Sequence, residues 1–454
     1  MIERPGRPPV MGSPEIAQQR VQQLLDKERD PVPPVLRETS FAENVDRPID
    51  VDRYVSKEWH DREVERMWKR VWQVACREEE IPEPGDSLVY EIVNTSLVIV
   101  RTQDGTIRAF HNSCLHRGRL LREGPGCIAE LRCPFHGFTW DLDGKLIDIP
   151  SSWDFQHLEG VDLRLPEVRV ACWDGWVFVC MDPETEPLEE FLGNFIQHWS
   201  AWPQANRTIG MHIVKRLTCN WKVGLEAFIE SYHVVATHPQ LLMSVDDVNT
   251  QYDTYPPDAK FNRMISPQAV SSPHLGPPLD DQAIIDSLLS GSRRRPLEPG
   301  ETARDRLAAV VKSDYNRAAG TEVPSSISEA IDAIQYFVFP NFVPWAGLSP
   351  IMYRFRPDGD DPAHAIMDIW LMQPVPEGRP RPRPPAPIHL DRDEPFSSLP
   401  ELGRLALIFD QDMANLGPVQ RGLLASVKPS LALASYQESR IRHFAGMLDR
   451  YVGS

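Results

Sequence analysis

Two pairs of metal-ligating side chains lie close together in the first third of the chain. Cys114-Leu-His116 is followed, sixteen residues on, by Cys133-Pro-Phe-His136. Each pair fits within one turn, so two thiolates and two imidazoles can converge on one small volume. That donor set suits a zinc ion, or a [2Fe–2S] cluster with both histidines on one iron. Gly118 and Gly137 follow the two pairs. A glycine there permits the tight backbone that aims amides at cluster sulfurs. Cys127 lies between the pairs with no histidine beside it and is expected to be a buried thiol.

A second constellation reads Asn220-Trp221-Lys222, then Glu226, Glu230, His233 and His238. As one helix over 221–236 it places Glu226, Glu230 and His233 on one face. His238 comes just before Pro239, where a helix must stop. Two histidines at such a helix end can hold one iron if a carboxylate from elsewhere completes the set. Taken alone, they fit ordinary helix histidines equally well.

Together the two constellations resemble the oxygenase component (large, or alpha, subunit) of Rieske non-haem iron aromatic-ring-hydroxylating oxygenases. Residues 114–136 match the Rieske motif, and Asn220-Trp-Lys through His238 match the iron-binding helix. The resemblance implies a [2Fe–2S] Rieske cluster on Cys114, His116, Cys133 and His136. It also implies a mononuclear Fe(II) held by His233, His238 and a distant aspartate. The pattern of an Asp eight residues before a Gln recurs at Asp412 and Gln420, so Asp412 is the expected third ligand and Asp410 the runner-up. Glu230 stands where the family usually has Asp, bridging a neighbouring subunit's cluster histidine to an iron histidine. Ala227 stands where Asn is common, which sets the chain apart from naphthalene-type dioxygenases.

The implied activity is oxygenation with O2 and electrons relayed from NAD(P)H by a ferredoxin or reductase. Electrons would pass through His136, Glu230 and His233. The expected reaction is hydroxylation, chiefly dihydroxylation, of a hydrophobic aromatic or polycyclic substrate. A monooxygenase or demethylase uses the same ligands and is the alternative. A Rieske electron carrier fused to a non-catalytic binding domain is a third reading. Phe228, Val234, Phe337, Phe339, Phe342, Trp345, Met352 and Phe409 are candidates for the pocket wall or for plain core. The family forms homotrimers, some with a small beta subunit. Arg117, Arg119, Arg122 and Arg132 face only Glu123 and Glu130 within 114–136, a local basic patch suited to an acidic electron donor.

The elements that must position these groups read as an α+β protein. A Pro-rich arm over 1–50 carries a short helix opened by Ser13-Pro14. A small antiparallel β Rieske domain is expected over 51–185, entered by a helix over 54–76. A catalytic domain over 186–454 should be a helix-grip (START-like) fold with a central antiparallel sheet. Within it 335–372 read as strands, and 402–425 and 432–450 as helices. Residues 244–330, broken by Gly and Pro, read as a lid or insert with two short helices.

Composition bounds the rest. The chain has 454 residues, 41% hydrophobic and 25% charged, with a net charge of −17. That balance argues against nucleic acid and anionic membrane surfaces as partners. No apolar run is long enough for a transmembrane helix and no secretory signal is evident, so the expected compartment is the cytoplasm. Seven scattered cysteines make a disulfide framework a poor reading. The 43 prolines, about twice the average share, gather at 5–35 and 374–400.

Overall fold

The computed structural model describes residues 12–42, 48–256 and 258–453; the first three prolines of the arm lie outside them. The chain forms two compact units. One comprises the residues up to His60, Leu192–Arg356 and the stretch from Pro362 onward; the other comprises Asp61–Phe191 and Pro357–Asp361.

The second unit is a β structure. Seven antiparallel strands lie in the order Gln73–Arg77, Trp176–Cys180, Glu167–Trp173, Ile107–His111, Thr95–Arg101, Asp86–Ile92 and Gly126–Cys127. A three-stranded sheet of Leu131–Arg132, Thr139–Trp140 and Leu146–Asp148 stands beside it in sequence. Val98, Val100, Phe110, Leu131, Phe138 and Trp140 form a buried core that includes Cys114 and Cys133. The helix expected over 54–76 is shorter. Helical turns end at Trp68, and Gln73–Arg77 is a wholly buried strand. The Gln73 side-chain amide donates to the Trp68 carbonyl and closes the turn. Cys127 is exposed rather than buried, because it lies on the short outermost strand, paired only with Asp86.

In the first unit an eight-stranded sheet runs Gln251–Thr254, Phe261–Ser266, Ala333–Val338, Phe342–Pro344, Ile351–Pro357, Ala365–Pro374, Arg207–Leu217 and Ile388–Leu390. Residues 244–330 are therefore not the irregular stretch expected. They supply two sheet strands, then helices Asp281–Leu288, Ala303–Ala319 and Ile327–Ile331. These strands escape a reading by alternation because every residue in them is buried. Helix Pro14–Leu25, capped by Ser13 as expected, buries Ala17, Val21, Leu24 and Leu25.

Helix Arg404–Leu424 buries Phe409, Asp412, Leu416 and Gln420 along one stripe. Gly417 lets it approach the sheet end, since a Cβ there would meet Thr218 Oγ1 at 2.9 Å. The last helix, Ser439–Val452, starts seven residues later than expected.

Polar side chains inside the sheet are paired. Asp253 Oδ2 accepts from Arg263 Nε at 2.8 Å and Nη2 at 2.7 Å, and both residues are fully buried. Arg263 also donates to the Val35 and Glu38 carbonyls, tying the N-terminal segment to the sheet. Asp253→Ala leaves that guanidinium uncompensated and is expected to cost about 3–5 kcal/mol. A urea unfolding midpoint equal to that of the wild type would contradict this.

Candidate metal centres

The two Cys/His loops of the β unit repeat one backbone pattern. Cys114 N–H donates to the Arg119 carbonyl and Gly118 N–H to the Cys114 carbonyl; Cys133 N–H donates to Phe138 and Gly137 N–H to Cys133. Both glycines take positive φ, 74° and 83°, a region L side chains rarely adopt. The His116 and His136 rings lie 4.6 Å apart at 70°. His116 stacks on Phe138 at 4.8 Å, and its buried Nδ1 has no hydrogen-bond partner. An orphaned buried imidazole nitrogen beside two buried thiols fits a metal cluster. His136 is exposed. Arg119 pairs with Glu123 at 2.9 Å, Arg132 lies 4.0 Å from Glu130, and Arg117 covers the Phe135 ring.

In the other unit the expected helix over 221–236 is broken. Trp221–Ala227 is helical, capped by Asn220 Oδ1 accepting from Lys222 N–H, and Val234–Thr237 forms a second short turn. Between them, tertiary partners replace helical hydrogen bonds. The Ile229 carbonyl accepts from Arg440 Nη1 at 3.1 Å, and Ser231 N–H donates to Tyr252 Oη at 2.9 Å. Glu226 and Glu230 consequently do not share a face. Tyr54 Oη donates to the Glu226 carboxyl at 2.9 and 3.1 Å. Protein packs around that carboxyl although the residue keeps some exposed surface, and burial pushes it up to about 8 against the lowering by Tyr54 and Lys222.

Glu230 turns to His233. Its Oε1 accepts from His233 Nδ1 at 2.6 Å and its Oε2 from His233 N–H at 3.0 Å. Burial opposes the charged form of His233, but the hydrogen bond and charge of Glu230, with Asp412, raise it above the ordinary imidazole range. His238 Nδ1 donates to Gln411 Oε1 at 2.9 Å. With both Nδ1 atoms engaged, both rings turn Nε2 toward Asp412. Oδ1 lies 2.9 Å from His238 and 3.6 Å from His233. One donor atom from each of the three residues falls within 4.8 Å of the others. Two imidazoles and a carboxylate at this spacing fit a 2-His-1-carboxylate iron site. Asp410 is elsewhere, accepting from the Phe396 and Ser397 amides at 2.6 and 3.1 Å.

A cluster of aromatic rings reaches the triad at Tyr353, which lies near Asp412. Phe228 lies 5.2 Å from Tyr353, 5.5 Å from Phe355 and 6.3 Å from Phe409. Burial, with the nearby Asp412 charge, pushes the Tyr353 phenol well above its usual range. Trp345 touches Tyr353. Four other wall candidates are not part of this group. Phe337 and Phe339 pack on Phe444. Phe342 and Met352 are one residue out of step with the paired Val343 and Tyr353, so they point to the opposite sheet face. Sequence reasoning missed Gln411, Tyr353, Tyr252 and Arg440. Only Gln411 carried a local signal, lying between the two candidate aspartates.

Residues 71–159 match the Rieske [2Fe-2S] domain, and residues 206–454 match the ring hydroxylating alpha subunit (catalytic domain). The glycine betaine monooxygenase oxygenase subunit of Pseudomonas aeruginosa (strain UCBPP-PA14) is 27% identical over 230 residues, 49% of this chain and 52% of the relative. The chain thus spans about half the length of the curated relatives it matches. A structure of the quaternary ammonium Rieske monooxygenase CntA with L-carnitine superposes with a TM-score of 0.61 at 18% identity, covering 90% of this chain and 99% of that one. Naphthalene 1,2-dioxygenase from Rhodococcus sp. bound to indole gives 0.60 at 20%, covering 97% and 98%. At these identities the structural likeness speaks for the fold.

Asp412→Ala should abolish mononuclear iron binding and leave the visible cluster spectrum intact, whereas Asp410→Ala should retain iron. Cys133→Ala should remove the cluster absorbance. Iron analysis and visible spectra check all three. Iron retained without the Asp412 carboxylate would move the third ligand elsewhere.

Proposed function

The chain belongs to the ring-hydroxylating alpha-subunit family, whose catalytic-domain match covers more than half of its length, and from that premise we propose that it is the oxygenase component of a Rieske monooxygenase acting beside a quaternary ammonium nitrogen. The carrying observation is the triad His233, His238 and Asp412, with Asp412 near the Tyr353 phenol and Tyr353 clustered with the rings of Phe228 and Phe409. Aromatic faces attract a quaternary ammonium through cation–π interactions, strongest where water is excluded. The relatives named as glycine betaine and carnitine monooxygenases support this reading over the expected aromatic dihydroxylation.

When bound, the cluster on Cys114, His116, Cys133 and His136 would supply electrons one at a time, and iron at the triad would supply O2 activation. The protein's part is positional. Glu230 and Gln411 hold the two imidazoles by their Nδ1 protons, leaving Nε2 for the metal. Phe228, Phe409 and Tyr353 keep water from the reacting carbon. Exposed His136 is the cluster ligand that an electron partner, or the Glu230 site of a second copy in a homotrimer, can approach. The donor is a reductase or ferredoxin. Among the described residues no helix is long and apolar enough to cross a membrane.

With a surrogate reductase, NADH and O2 consumption should rise with small trimethylammonium compounds and yield a singly oxygenated or demethylated product. A cis-diol formed from a planar aromatic, with no response to trimethylammonium compounds, would reverse the assignment. Glu230→Gln should retain both metals yet slow re-oxidation of a pre-reduced cluster by about tenfold or more in stopped flow. An unchanged rate would put the electron path elsewhere.

A further inference from the structure

Arg440 is fully buried at the start of the last helix. Its guanidinium is accepted by three neutral oxygens. Nε donates to Asn262 Oδ1 at 2.6 Å, and Nη1 to Gln335 Oε1 at 2.8 Å and to the Ile229 carbonyl at 3.1 Å. Nη2 has no partner. Burying an arginine on neutral acceptors is costly, and the burial pushes this one down to about 9. A neutral side chain could satisfy any one of these acceptors. What an arginine adds is a rigid fork that reaches three elements at once: the strands holding Asn262 and Gln335, and the non-helical link at Ile229.

That link carries Glu230. Its backbone is held on both sides, at the Ile229 carbonyl by Arg440 and at the Ser231 amide by Tyr252 Oη, whose own amide donates to Tyr436 Oη at 3.2 Å. Between these pins the Glu230 carboxylate reaches His233 Nδ1 and N–H. We propose that Arg440 is a positioning residue which, through the Ile229 carbonyl, sets the Glu230 carboxylate against His233. The functional part of the proposal rests on the oxygenase reading above; the structural part does not. Releasing the pin lets the link move, so the Glu230–His233 contact is made a smaller fraction of the time.

The first test uses iron-free protein and amide hydrogen exchange. Arg440→Met should speed exchange at Ser231 and His233 by about tenfold and leave amides of the strand Arg207–Leu217 unchanged. Tyr252→Phe, which removes only the second pin, should act on Ser231 in the same direction. If Arg440→Met does not fold, Arg440→Lys keeps the charge and loses the fork, and should show a smaller local increase. Wild-type exchange in the folded variant, or an increase spread over the whole unit, overturns the proposal.

The second test uses the loaded enzyme. Arg440→Lys should slow single-turnover cluster re-oxidation without raising the substrate KM. It should add no further slowing in the Glu230→Gln background, because it acts through that carboxylate. Additive slowing overturns the proposal. If Glu230→Gln alone changes nothing, the electron-path reading fails, while the exchange result still decides the role of Arg440.

Discussion

An imidazole that offers Nε2 to a cation must keep its remaining proton on Nδ1, and that proton needs an acceptor held in place. The catalytic-domain site depends on this constraint being met twice. His233 meets it with a carboxylate three residues earlier in the chain, and His238 with an amide oxygen 173 residues later. The two solutions recruit different parts of the fold. The first is reinforced by the break after Ala227, which frees the His233 amide to donate to the same Glu230 carboxylate. The second needs the long helix Arg404–Leu424 in a register that brings Gln411 and Asp412 to the same histidine.

The Cys/His loops are built on the opposite plan. Each is a short turn closed by its own backbone hydrogen bonds and a glycine at positive φ. Nothing distant is needed to bring a cysteine and its histidine together, so the donor pairs were legible as spacing alone. The donors of the candidate iron site were legible as residue types, and Asp412 only through resemblance. What the sequence hid were the partners contributed from far away. Ile229 and Arg440 are 211 residues apart, and no local pattern announces that this contact will replace a helical bond. Tyr353 was hidden for another reason. Strand Ile351–Pro357 is buried on both faces, so alternation could not show which side meets the site.

The same blindness affected 244–330. Residues 251–254 and 261–266 contain Asp253, Asn262 and Arg263, a composition that reads as surface. Inside the sheet Asp253 and Arg263 satisfy each other, Asn262 is paired with Arg440 of the last helix, and Arg263 also takes up the carbonyls of Val35 and Glu38. Buried polar pairing of this sort disguises a strand as a loop. It also specifies register, because a one-residue slip would leave a charge without its partner.

The edge strand that exposes Cys127 has a practical side. Besides Cys127, only Cys172 among the cysteines is exposed, and burial of its sulfur pushes that thiol up to about 11, where little thiolate exists at neutral pH. Cys76, Cys180 and Cys219 are buried, as are Cys114 and Cys133 in the Cys/His loops. A maleimide fluorophore added near neutral pH would therefore attach chiefly at Cys127, six residues from Cys133. It would give a native optical reporter on the β unit with no engineered attachment point.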